Sequence, residues 1–151
     1  MRLLLLLFAV FFTGLIKGQE PLNSKKIDSL VRVVSKKAAT KRHQVIEGTL
    51  LLEDNKTSSI RFHLQGDTTE MIVVESNLKE HVTLYYFNDR RLIYVANFTN
   101  GNYNEIESSF YLDDNTAYKK EGSVFTKVNS EFLTTLVSSY FDLFKEQLKA
   151  K

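Results

Sequence analysis

The sequence predicts an α+β fold: an N-terminal helix, an antiparallel meander of about seven strands, and a C-terminal amphipathic helix packed on the sheet. Three observations carry this. Apolar residues recur at helical spacing near the start and near the end, and alternate as in strands between the two. Turn clusters punctuate the middle roughly every 10 to 13 residues, with no helical stretch separating them. No proline follows Pro21, so nothing interrupts the strand pattern.

Before the first helix, Arg2 precedes an apolar run from Leu3 to Ile16, and Gly18 precedes the polar Gln19 and Glu20. A basic residue, a short apolar core and a small residue are the three parts of a secretory leader. The run is shorter than the roughly 20 residues that span a bilayer. The expectation is a signal peptide over residues 1–18, a single α+β domain over residues 19–151, and no stable membrane anchor. The chain has 20 Lys and Arg against 18 Asp and Glu, but removing Arg2 and Lys17 with the leader leaves 18 against 18. A neutral, mixed-charge domain offers no electrostatic footprint for nucleic acid. There is no cysteine, and the remaining length suffices for a core without disulfides. Export without cysteine points to a periplasmic or secreted bacterial protein.

The first helix is expected from Pro21 to about Thr40. Ile27, Leu30, Val31, Val34 and Ala38 form its apolar face, and Asn23 or Ser24 can cap it. Lys36, Lys37, Lys41 and Arg42 lie at its end, where cations complement the helix dipole. From Gln44 to about Gly122, turns fall at Asp54-Asn55-Lys56, Gly66-Asp67, Ser76-Asn77-Leu78, Asn88-Asp89-Arg90, Asn100-Gly101-Asn102 and Asp113-Asp114-Asn115. These six turns delimit seven strands, each returning on the last. The final helix carries Phe132, Leu133, Leu136, Val137, Tyr140, Phe141, Phe144 and Leu148 as one stripe, with Asn129 or Ser130 as its cap. A stripe this apolar beside an open sheet is read as core.

The segment Tyr85-Tyr86-Phe87-Asn88-Asp89-Arg90-Arg91-Leu92, followed by Ile93, is echoed through Leu92 at Phe110 to Ala117. This hairpin, with a leader ending in Gly18-Gln19, resembles short exported proteins of Bacteroidetes-type bacteria. The resemblance implies an envelope location and no assigned activity, and it transfers no functional residue.

Motifs for chemistry are sparse. His43, His63 and His81 lack metal-ligand spacing, and no cysteine supplements them. The glycines after the leader, Gly48, Gly66, Gly101 and Gly122, are too scattered to cradle a phosphate. Glu105 and Glu107 share one face of a strand, where paired carboxylates can act as acid and base. A turn at Asp54-Asn55 places His63 opposite Glu47. No catalytic residue, cofactor or metal is assigned.

With the turns as register marks, one sheet face collects Ile60, Phe62, Leu64, Met71, Val73, Val82, Leu84, Tyr86, Ile93, Val95, Ile106 and Phe110 and is expected to meet the helices. The other collects Arg61, His63, Tyr85, Phe87, Leu92, Tyr94, Phe98, Tyr103, Glu105, Glu107 and Tyr111. Either a helix or a curl of the sheet covers these rings, or they form a binding surface. The functional expectation is an exported, non-enzymatic binding protein whose Tyr85, Tyr94, Phe98, Tyr103 and Tyr111 engage a protein or a small apolar or carbohydrate ligand. The alternatives are a hydrolase of an envelope polymer using Glu105, Glu107 and His63, and a carrier of an apolar ligand inside a curled sheet.

Overall fold

A computed structural model describes residues 20, 21, 23–51, 57–76, 81–99, 103, 105–113 and 116–149, apart from the side chains of residues 51 and 147–149. The leader, the Leu148 side chain, and the turn tips at 54–56, 77–78, 100–102 and 114–115 lie outside this set.

Helix α1 spans Ser24–Ala39. Eight strands follow in chain order: β1 Gln44–Leu51, β2 Thr57–Gln65, β3 Thr68–Ser76, β4 His81–Asn88, β5 Arg91–Thr99, β6 Ile106–Asp113, β7 Thr116–Glu121 and β8 Val124–Val128. Helix α2 spans Glu131–Lys149. The strands form a single sheet in the order of the sequence, every pair antiparallel. The expected α+β meander is therefore present, with one strand more than the seven expected. The addition is β8, which returns from β7 across Gly122-Ser123, with Gly122 at φ +58°. Gly66 opens the β2–β3 turn in the same way at φ +59°. A glycine at the first central position is what a two-residue II′ turn requires. The stretch around Gly122 holds such a turn, but β8 is only five residues long and resembles a linker to the last helix.

The helices lie on opposite faces of the sheet. Helix α1 buries Ile27 and Val34 against Met71, Val73, Val82, Tyr86, Tyr94, Ala96, Phe98 and Tyr111. Helix α2 buries Leu133, Val137 and Tyr140 against Ile60, Phe62, Ile72, Tyr85, Phe87, Val95 and Phe110. Neighbouring residues such as Met71 and Ile72, or Tyr85 and Tyr86, thus serve opposite layers, as the two-residue period of a strand demands. The expectation that one face meets both helices is corrected here: each face has its own helix.

Both helices cross the sheet from β6 toward β2. On α1, Asp28 accepts from Tyr111 of β6 at 2.8 Å, Ser35 bonds Tyr86 of β4 at 3.0 Å, and Lys37 donates to Glu70 of β3 at 2.7 Å. On α2, Phe132 meets Phe110 of β6, Tyr140 meets Tyr85 of β4, and Phe144 stacks on Phe62 of β2 at 4.6 Å. Phe62, fully buried, belongs to the α2 layer and meets both Phe141 and Phe144.

Candidate functional site

The sequence-expected binding residues do not share a face. Tyr94, Phe98 and Tyr111 lie under α1, Tyr85 lies under α2, and Tyr103 stands between β5 and β6. The first four are 4–7 % exposed, whereas Tyr103 is 50 % exposed. The physical reason is a set of register shifts. In β4–β5, Tyr86 pairs with Tyr94 and Phe87 with Leu92, so Ile93 is extra. Glu70 is extra between β2 and β3, and Glu107 between β5 and β6. Each bulge flips the side chains beyond it relative to the neighbouring strand. Counting from turns alone groups Tyr85 with Tyr94, whereas the bulge sets Tyr86 beside Tyr94 and Tyr85 beside Val95. The buried phenols are raised well above their ordinary pKa, chiefly by burial, and stay protonated as hydrogen-bond donors. Their hydroxyls hold helices: Tyr111 reaches Asp28, and Tyr86 meets Ser35.

A second group sits where α1 ends. Backbone bonds from Lys41 N to Ala38 O and from Arg42 N to Lys37 O, with Lys41 at φ +54°, close the helix in a Schellman turn. This turn delivers His43 into the protein, its side chain 1 % exposed. His43 Nε2 lies 2.8 Å from Glu70 Oε2, and Lys37 Nζ bonds both oxygens of the same carboxylate. Burial pushes the Glu70 carboxyl up, but the bonds and charges of Lys37 and His43 outweigh it and hold the group below its ordinary range. The His43 ring stands edge-on to His63 at 5.6 Å, and Nδ1 of each is buried without a hydrogen-bond partner. Burial, then the neighbouring His43 and Arg61, lower His63 to about 4, so it is neutral at physiological pH. His63 pairs with Val45, and Glu47 pairs with Arg61, because the β1–β2 register is displaced by two residues from that expected for a turn at Asp54-Asn55. A hollow of about 460 Å³ beside these residues is lined by Ala38, Lys41, His43, Val45, Glu47, Arg61 and His63. Among the described residues no group of three or more His, Cys, Asp or Glu is placed to hold a metal ion.

The acid pair of the hydrolase reading is not joined to His63. Glu105 and Glu107 are exposed near the start of β6, whereas His63 is on β2. Four strand spacings separate β2 from β6 along the sheet, roughly 19 Å at ordinary spacing.

The more open site lies at one end of the sheet. There the β4–β5 hairpin and the end of β6 emerge between the helices, and a cleft of about 1200 Å³ opens. Ile27 and Leu30 of α1, Val137 and Phe141 of α2, and Phe87, Leu92, Ile93 and Leu112 of the strands give it an apolar lining. Asn23, Lys26, Asn88, Asp89, Arg90, Arg91, Asp113, Thr134 and Ser138 supply polar groups. The hairpin tip is a two-residue turn with Asp89 at φ +51° and Arg90 at φ +66°. Two consecutive positive values define the type I′ turn, in which the second position favours glycine. Arg90 holds that place at a cost of about 1–2 kcal/mol. The sequence marks Asn88-Asp89-Arg90 as a turn, but the joining of that turn to both helices is tertiary and has no local signal. Comparison with protein-family models, curated proteins and solved structures finds no match for this chain.

Proposed function

We propose that this is an exported, non-enzymatic binding protein of the bacterial envelope or exterior, and that its ligand seat is the cleft between the two helices. The apolar leader-like segment supports export. One observation supports the seat: an open space of about 1200 Å³ whose apolar floor is built jointly by α1, α2 and the β4–β5 hairpin. Convergence of apolar walls with a few polar groups is the usual composition of a small-molecule site. Most of the aromatic rings that suggested a binding face are engaged in holding the helices that form this cleft. In this reading they build the site without touching the ligand; only Tyr103 is open to a partner directly.

The neutral fluorophore N-phenyl-1-naphthylamine tests the seat. Titration into the purified protein should give a saturable rise in emission at about one probe per chain. Ser138 is exposed on α2 at the cleft wall, so Ser138→Trp should fill the space and abolish the rise without lowering the melting temperature. Undiminished probe binding by a folded Ser138→Trp protein would sink the assignment.

A further inference from the structure

Resting on that reading of the cleft, we infer that its ligand class is a free single-chain alkyl anion: an apolar tail on the cleft floor, with an acidic head held by Lys26 and Arg90. The charges of the cleft are arranged asymmetrically. The two acids, Asp89 and Asp113, each accept a hydrogen bond from an asparagine amide, Asn88 to Asp89 and Asn23 to Asp113, both at 3.1 Å. These neutral donors leave both carboxylates charged, and the lining sets three cations, Lys26, Arg90 and Arg91, against these two acids, an excess of one positive charge. Among the described residues, Lys26 and Arg90 take part in no ion pair, although both are exposed and both line the cleft. Lys26 approaches from α1 and Arg90 from the β4–β5 tip, so the positive charge comes from two separate elements. A guanidinium and an ammonium on the rim of one cleft favour a carboxylate or another oxyanion over a neutral or cationic head.

The backbone adds an independent argument. Arg90 stands at φ +66°, in the position of the turn that glycine fills without strain. A turn selected for stability alone would place glycine there. Keeping a long cationic side chain at a strained position on the rim is what a contact to an anion would require. The tail follows from the floor: Leu30, Leu92, Ile93, Val137 and Phe141 offer only aliphatic and aromatic surface. The seat is large enough for an extended alkyl chain.

The test compares heads on one tail. Dodecanoate, dodecanol and dodecyltrimethylammonium are each used, below their micelle concentrations, to displace N-phenyl-1-naphthylamine from the purified protein. Dodecanoate should displace it about tenfold more tightly than either of the others, the advantage that one charge-assisted hydrogen bond supplies. Arg90→Gly should raise the melting temperature, because it relieves the turn, and should remove most of that preference while the neutral probe still binds. Lys26→Gln should weaken dodecanoate in the same direction. Equal displacement by the three heads, or an Arg90→Gly protein that keeps the full preference, overturns the anionic assignment and leaves the cleft reading standing. Failure of the probe to bind the wild-type protein removes the cleft reading itself. A sedimenting dimer that excludes the probe would put a second copy of the chain in the cleft and likewise overturn the proposal.

Discussion

At the scale of single residues, His63 shows how burial sets chemistry. It faces Val45 and Met71 across the sheet and stands edge-on to His43, with Arg61 nearby in the chain. Burial, then the charges of His43 and Arg61, lower its pKa from 6.5 to about 4. Between those values the unfolded chain takes up a proton that the folded chain refuses. Stability therefore falls as pH drops through that window. Glu70 works at more acid pH: its carboxyl is held below its ordinary range by Lys37 and His43, so its contribution persists above the unfolded value and is lost as pH falls through the lower folded value. Replacing His63 with leucine should flatten the acid-side decline of the urea midpoint between pH 6.5 and about 4. An unchanged slope would mean that His63 is protonated in the folded protein. None of this was legible in the sequence beyond the presence of three scattered histidines. Glu70 carries no local sequence signal because its partners lie 33 and 27 residues away, brought together only when α1 crosses β3.

Elements were read more securely than their relative placement. The helical period of Ile27, Val34 and Ala38 and that of Leu133, Val137 and Tyr140 located both helices, and both sets bury as the period requires. Asn129 supplies the expected cap of α2 through Oδ1, which accepts from Glu131 N at 2.9 Å. Asn23 occupies the N-cap position of α1 but makes no side-chain cap bond, and its amide is spent on Asp113. The meander and its turns were legible because each turn announces itself within a few residues. The bulges were not: an extra residue such as Ile93 or Glu70 leaves no compositional mark, yet it decides which face a tyrosine meets. Leu136 and Phe132 of the expected stripe remain 38 % and 55 % exposed, since α2 meets one face of the sheet and nothing described lies outside it. The end of α1 offers a stability test. Lys41 occupies the left-handed C′ position of the Schellman turn, where glycine carries no steric penalty. Lys41→Gly should stabilise the fold by about 1 kcal/mol in urea denaturation, and destabilisation would show that the Lys41 side chain contributes more than its backbone strain costs.

Across the whole molecule, the sheet is covered on both faces by helices that run the same way over it. Its edges are β1 and β8, and β8 is short and carries Lys127, features that discourage edge-to-edge pairing. On the α1 face, Lys120 of β7 lies over the rings of Tyr111 of β6 and Phe125 of β8. Among the described residues no helix is long and apolar enough to cross a membrane. What this architecture leaves open is the end of the sheet, where both helices and the β4–β5 tip converge on the cleft. The most direct measurement of its role is backbone amide mapping by NMR during titration with N-phenyl-1-naphthylamine. Shifts should cluster in 23–30, 87–93, 112–113 and 134–141, the segments that line the cleft. Shifts concentrated instead around the exposed Tyr103, Ile106 and Val124 would contradict the account and move the binding surface to the opposite side of the fold.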